Sequence, residues 1–351
     1  MIRHFTEAEG DPRVIAAETT MIRPPAARPA VAPLLSVEKL VVEMPLADSH
    51  VRIVDGIDFS IGAAERVALV GESGSGKSMT AQALMRLNPR MRLSGRVLLD
   101  GTDLLALPEA KMGALRGSKI AMVFQDPMTS LNPLMTIGDQ VTESLRIRGV
   151  SKPEARRRAL AILDELRVAR AAERLESYPH EFSGGMRQRV VLAIALVTEP
   201  KLLIADEPTT ALDVRVQRQV LDLIDEVSRR RGLSVMLITH DLGIVANFAD
   251  RVMVMYSGRI VETSQVDTFF ANPIHPYGRG LLAAVPRIDR TSERLASVPG
   301  TPPLPWARPS GCAFSPRCEF RGERCMRVIP ESVPVGNSTV ACHLADGGTD
   351  V

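Results

Sequence analysis

The stretch Gly71-Glu72-Ser73-Gly74-Ser75-Gly76-Lys77-Ser78 fits G-x-x-x-x-G-K-[ST], the phosphate-binding P-loop, and it has the flanks that motif requires. The apolar run Arg66–Val70 before it reads as a strand, and the run from Met79 to Leu87 after it reads as a helix. Glycines let backbone N–H groups converge on phosphate oxygens, and the start of a helix adds its dipole. In such a loop the lysine, here Lys77, reaches the β- and γ-phosphates, and the Ser78 hydroxyl ligates Mg²⁺. A glycine-rich turn carrying a chance Lys-Ser would have no reason to sit between a strand and a helix.

A second element belongs with the first. Leu202-Leu203-Ile204-Ala205-Asp206-Glu207 is an apolar strand ending in two acids. Asp206 is placed to hold Mg²⁺ opposite Ser78, and Glu207 to polarise an attacking water as general base. Acids often cap strand ends, so the pair is weak alone and strong beside the loop. The runs Lys201–Asp206, Ser234–Thr239 and Arg251–Tyr256 are apolar throughout and separated by helical stretches, the pattern of parallel strands buried on both faces. The fold class is therefore expected to be α/β. Shorter β-type runs over 35–44, 51–61, 66–71 and 95–104 nearly alternate and suggest a small, partly antiparallel sheet. Between about Thr136 and Tyr178 lies a helical block, in which Ala159, Ile162, Leu163 and Leu166 recur at helical spacing. Arg156, Arg157 and Arg158 in that block read as a solvated face.

Composition narrows the field. Over 351 residues, 45% are hydrophobic and 24% charged, ordinary values for a globular chain with a core. Lys+Arg 43 against Asp+Glu 41 leaves a net charge of +2, so no strong field favours nucleic acid or anionic lipid. The longest apolar run, Val190–Val197, is far shorter than the ~18 residues a spanning helix needs. Glu7, Glu9 and Asp11 sit near Arg3 with no apolar stretch, so no secretory signal is evident and a reducing compartment is expected. Residues 1–33 read as a disordered tail rich in Pro and Ala, 34–270 as the nucleotide domain, 271–343 as a loop-rich module, and 344–351 as a short tail. All four cysteines, Cys312, Cys318, Cys325 and Cys342, fall in the third of these.

Further motifs, in order, resemble those of the ABC-type ATPases, over roughly residues 35 to 270. Gln125 in Val123–Pro127 matches the Q-loop glutamine, Phe182-Ser183-Gly184-Gly185-Met186 the family signature, Ala211-Leu212-Asp213 the D-loop, and His240 after the strand Ser234–Thr239 the switch histidine. The resemblance implies a P-loop NTPase with an antiparallel β subdomain and a helical subdomain. It implies ATP bound by Gly71 through Met79 with Gln125 and Asp206, Mg²⁺ held by Ser78, Gln125 and Asp206, and catalysis by Glu207, His240 and Gln125. Ser183, Gly184, Gly185 and Met186, with Asp213, would act on the ATP of a partner subunit packed head-to-tail. The signature's physics is readable by itself. Bare glycine amides and a serine hydroxyl at a helix start form an anion site, although Ser-Gly-Gly also serves as an ordinary helix cap. Met186, Val190, Ala193 and Val197 would form that helix's one apolar stripe. One departure concerns adenine, which the family commonly stacks on an aromatic residue ahead of the P-loop. Residues 40–56 contain none, and Met44 or His50 is the expected substitute; loose base discrimination would follow.

The segments Gln125–Pro133, Asn272–Leu282 and Gly300–Cys318 resemble the oligopeptide/dipeptide importer branch of that family, its D-type subunit. The resemblance implies two membrane permease subunits, a second ATPase subunit, an extracytoplasmic solute-binding protein, no nucleic acid, and a peripheral position on the cytoplasmic face of the inner (plasma) membrane. An importer of nickel or another small solute is the alternative cargo reading. An ABC ATPase acting on nucleic acid or ribosomes would show tandem P-loops, a long coiled coil or a basic tract, and none is present. The cysteine spacing is C-x5-C-x6-C-x16-C. Four thiolates can enclose a [4Fe–4S] cluster, as tails of this branch do. Zinc is the rival, though its usual C-x2–4-C pairs are absent, and unligated thiols or disulfides complete the alternatives.

Overall fold

In the computed structural model, residues 32–46, 49–124, 130–209, 213–285 and 298–345 are described. Strands β1 (Leu35–Leu46), β2 (Ser49–Ile61), β4 (Arg92–Leu99) and β5 (Thr102–Asp103) form a four-stranded sheet in the order β2-β1-β4-β5. Every pairing in it is antiparallel. Strand β3 (Arg66–Val70) belongs to a different sheet. It lies between β8 (Ser234–Thr239) and β9 (Arg251–Tyr256), parallel to both. Four of its five residues are buried, as a strand covered on both faces must be. Five residues are too few for alternation and continuous burial to be told apart in the sequence. Strands β6 (Ile120–Val123) and β7 (Leu202–Asp206) continue the parallel order beyond β8.

Two cores follow from the two-residue period of a strand. On β3, β7, β8 and β9, Val67, Leu69, Leu202, Ile204, Met236, Ile238, Met253 and Met255 point toward the antiparallel sheet. Their neighbours Ala68, Val70, Leu203, Ala205, Val235, Leu237, Val252 and Val254 point toward the helices. There the helices Ile137–Ile147 and Lys152–Glu165 pack against Gly184–Leu196. Ala159, Ile162, Leu163 and Leu166 are buried in this core. Arg157 and Arg158 pair with Glu154, and Arg156 with Glu176, on the solvent side. The helix Gly184–Leu196 is enclosed more widely than one stripe. Gln188, Val191, Leu192, Ala195 and Leu196 are buried as well, because the helix is wedged between other helices and β6.

The chain past residue 258 extends the same sheet. Strand β10 (Arg259–Gln265) turns back antiparallel on β9, β12 (Ser338–Val340) pairs with β10, and β11 (Val333–Val335) closes the edge. Between them, the buried Glu262 carboxylate accepts the backbone N–H groups of Ile274 and His275 and the Ser264 hydroxyl. His275 in turn caps the helix Pro276–Ala283, its Nδ1 accepting from the Tyr277 N–H at 3.0 Å.

Candidate active site

The C-terminal ends of β3, β7 and β8 lie side by side, and each ends in one part of the site. This is where open α/β sheets bind ligands. After β3 comes the P-loop, whose first glycine is required by close approach: a Cβ on Gly71 would sit 2.2 Å from the Met255 carbonyl oxygen. The helix Lys77–Leu84 starts directly from the loop with Gly76 at its cap. Ser73, Gly74, Gly76, Lys77, Ser78 and Met79 line a cavity of about 680 Å³ together with Glu207 and His240. The buried Ser75 Oγ beside it has no hydrogen-bond partner among the described residues.

Lys77 is buried at the cavity floor, where Nζ donates to the carbonyls of Gly71 (2.8 Å) and Glu72 (3.0 Å). Burial holds its ammonium below the ordinary lysine range, while Glu207, Asp206 and Glu72 pull it back up. The Ser78 hydroxyl donates to Asp206 Oδ1 at 3.0 Å. Burial raises the Asp206 carboxyl above its usual value, a shift that the Ser78 hydrogen bond opposes. A hydroxyl and a carboxylate oxygen in contact at the edge of a phosphate cradle are the hard donors Mg²⁺ takes. Glu207 holds φ at +45°, the left-handed region that side-chain-bearing residues rarely adopt. Its N–H donates to the Ile238 carbonyl of β8, and its Oε1 lies 3.3 Å from His240 Nδ1. Backbone pairing between β7 and β8 thus aims this carboxylate across the cavity mouth.

Ser183, Gly184, Gly185 and Met186 are not among the residues lining this cavity. Ser183 caps the helix Gly184–Leu196, accepting the Met186 N–H at 3.4 Å. Gly185 has no room for a side chain, because a Cβ there would meet Val216 at 2.5 Å. Asp213 caps the helix Val214–Arg231 by accepting the N–H groups of Arg215 and Val216. Gln125, Ala211 and Leu212 lie outside the described residues.

Residues 54–210 match the family model described as ABC transporter, and residues 261–325 match that described as oligopeptide/dipeptide transporter, C-terminal region. An oligopeptide transport ATP-binding protein of Haemophilus influenzae is 48% identical over 295 residues, 84% of this chain and 91% of that one. The chain belongs to the ABC transporter family. A dipeptide transport ATP-binding protein of Bacillus subtilis is 46% identical over 318 residues, covering 89% of this ABC protein and 95% of the relative. Among solved structures, a dimeric ATP-binding cassette in a post-hydrolysis state with ADP and Pi superposes with a TM-score of 0.60 at 26% identity, over 66% of this chain and 98% of that one.

The site is thus that of an ABC ATPase, for which ATP with Mg²⁺ is the expected ligand and membrane permeases the expected partners. Among the described residues, no helix is long and apolar enough to cross a membrane. Two residues that sequence reasoning missed complete the cavity, Ile53 of β2 and Pro305. Met44 packs instead against the core of the antiparallel sheet, and His50 is exposed on β2. Pro305 opens a short turn, Pro305–Ala307, anchored beside β2 by Arg308, whose guanidinium donates to the Ile53 carbonyl at 2.8 Å.

The four cysteines occupy one segment, none of them in a disulfide. Burial pushes the Cys312 thiol up to about 11, and each of the other three adds to the shift. Backbone N–H groups two residues on face three of the sulfurs: Phe314 at Cys312, Phe320 at Cys318 and Leu344 at Cys342. Among the described residues, no group of three or more His, Cys, Asp or Glu is arranged to hold a metal ion.

Proposed function

We propose that this chain is the ATP-hydrolysing subunit that energises import of di- and oligopeptides through a membrane ABC transporter. The observation that carries this reading is the continuity of one sheet. It runs from an ATPase site at the ends of β3, β7 and β8 to a C-terminal segment matching that of oligopeptide/dipeptide transporters. In this reading Lys77 leaves the carbonyls of Gly71 and Glu72 for the β- and γ-phosphates, and the loop glycines give their amides to phosphate oxygens. Ser78, Asp206 and Gln125 would hold Mg²⁺, which would neutralise charge on the phosphates. Glu207 accepts a proton from water as the oxygen attacks the γ-phosphorus and the bond to the β-phosphate oxygen breaks, releasing ADP and phosphate. His240, in contact with Glu207, orients that carboxylate and hydrogen-bonds the γ-phosphate.

Ser183, Gly184, Gly185, Met186 and Asp213 serve the ATP held by a second ATPase subunit. Val214, next to Asp213, is 81% exposed, which supports a partner on that face. Leu134, in the turn before the helical block, and Ile147 on it are exposed and support permease contact there. Two permeases, a second ATPase that is a paralogue or another copy of this chain, and a solute-binding protein on the far side of the inner membrane complete the assembly. Uptake of a labelled dipeptide into proteoliposomes carrying the whole complex tests the cargo. ATP-dependent uptake is expected, and nickel uptake without peptide uptake would overturn it.

The cysteine segment is assigned a [4Fe–4S] cluster bound by Cys312, Cys318, Cys325 and Cys342. Half-buried and buried thiols, three of them with a backbone amide aimed at the sulfur, suit thiolate ligands of such a centre. Its role is structural. Protein purified without oxygen should contain about four iron and four sulfide per chain, lost on Cys342→Ser. Stoichiometric zinc, or intact protein free of metal, would refute the assignment.

A further inference from the structure

Glu72 stands inside the P-loop, yet it does not line the nucleotide cavity. Its carboxylate is turned the other way, onto Arg317, in a two-pronged pair: Nη1 to Oε2 at 2.6 Å and Nη2 to Oε1 at 2.9 Å. The Arg317 side chain is only 3% exposed. The remaining guanidinium donors go to the Pro299 and Val298 carbonyls and the Tyr256 hydroxyl, and the ring centroids of Tyr256 and Phe314 lie 5.7 and 5.9 Å from its central carbon. The Glu72 N–H is spoken for as well, donating to the Tyr277 hydroxyl at 2.8 Å. Both groups that grip Glu72 therefore come from the C-terminal third of the chain. Arg317 ends the short turn Ser315–Arg317, which is tied to Cys312 through the Ser315 N–H and runs directly into Cys318.

An ionised carboxylate in a phosphate-binding loop is a liability, because it repels the triphosphate that the loop exists to bind. A buried, fork-shaped guanidinium answers this in two ways: it neutralises the charge and fixes the direction in which the carboxylate points. We propose that Arg317 is a positioning residue of the nucleotide site, holding Glu72 and the front of the P-loop away from the phosphates. The cysteine-bearing segment is then a working wall of the ATPase site, and disturbance of the turn between Cys312 and Cys318 reaches ATP through Arg317 and Glu72.

The test measures the Kd for ATP in the full chain by titration, with thermal unfolding as a control for the fold. Arg317→Gln should raise Kd about tenfold, and added salt should shrink the deficit, since the exposed carboxylate's repulsion is screened. Adding Glu72→Gln to Arg317→Gln should recover most of the loss, which a residue that only props up the fold would not allow. Arg317→Lys, which keeps the charge and loses the fork, should fall between wild type and Arg317→Gln, and it gives the answer should the glutamine variant fold poorly. Unchanged ATP affinity in folded Arg317→Gln or Arg317→Lys, or a double variant no better than the single, would overturn the proposal.

Discussion

At the residue scale, the site divides into groups that announce themselves in the sequence and groups that do not. Lys77, Ser78, Asp206, Glu207 and His240 are legible because each stands at or beyond the end of a strand within a short motif, and the strand order brings those ends together. The Arg317–Glu72 pair joins residues 245 positions apart and leaves no local mark in either segment. One wall of the cavity is illegible for the same reason. It comes partly from Pro305, distant in sequence from the β1–β2 hairpin beside which it packs. Next to Pro305 stands Trp306, 60% exposed and the chain's one tryptophan. All tryptophan emission therefore reports on this turn. Saturating ATP should shift or quench that emission, and the change should vanish in Lys77→Ala at the same nucleotide concentration. Emission indifferent to ATP in protein shown to bind it would place the turn away from the bound base.

At the scale of elements, sequence periodicity found the helices and the apolar strands, and it failed where burial is two-sided or the element is short. By its alternation β3 resembles the antiparallel strands but pairs in parallel, and the helix after Ser183 shows one apolar stripe in sequence yet is enclosed on several sides. The link between β10 and the helix Pro276–Ala283 rests on Glu262 and His275, and it makes stability depend on pH. His275 is fully buried, and burial first, then Arg279, pushes its imidazole down to about 3 from an ordinary 6.5. Below about 6.5 the unfolded chain takes a proton here that the folded chain refuses. Stability is therefore lost as pH falls from there toward 3, at up to about 1.4 kcal/mol per pH unit. Buried Glu262 is shifted upward and so acts in the opposite direction, which makes a difference measurement necessary. Urea unfolding at pH 7 and pH 5 should show a smaller drop for His275→Asn, which can still cap the helix, than for wild type. An identical drop in both would show that His275 does not set the acid limb.

At the scale of the whole molecule, the α/β class, the antiparallel subdomain and the helical block were all readable from the order of runs and motifs. What composition could not reveal is that the proline-rich segment after residue 272 is stitched to the same sheet through β12, because a three-residue strand carries almost no sequence signal. The central claim is that one cavity binds ATP and that Glu207 drives its hydrolysis there. The measurement that bears on it most directly is ATP binding and steady-state turnover, taken side by side for the wild type and Glu207→Gln. Wild-type protein should bind and hydrolyse ATP. Glu207→Gln should bind it equally well and turn over at least about 100-fold more slowly, the usual loss when a general base is removed. Full turnover by Glu207→Gln, or no ATP binding by the wild type, would contradict the account.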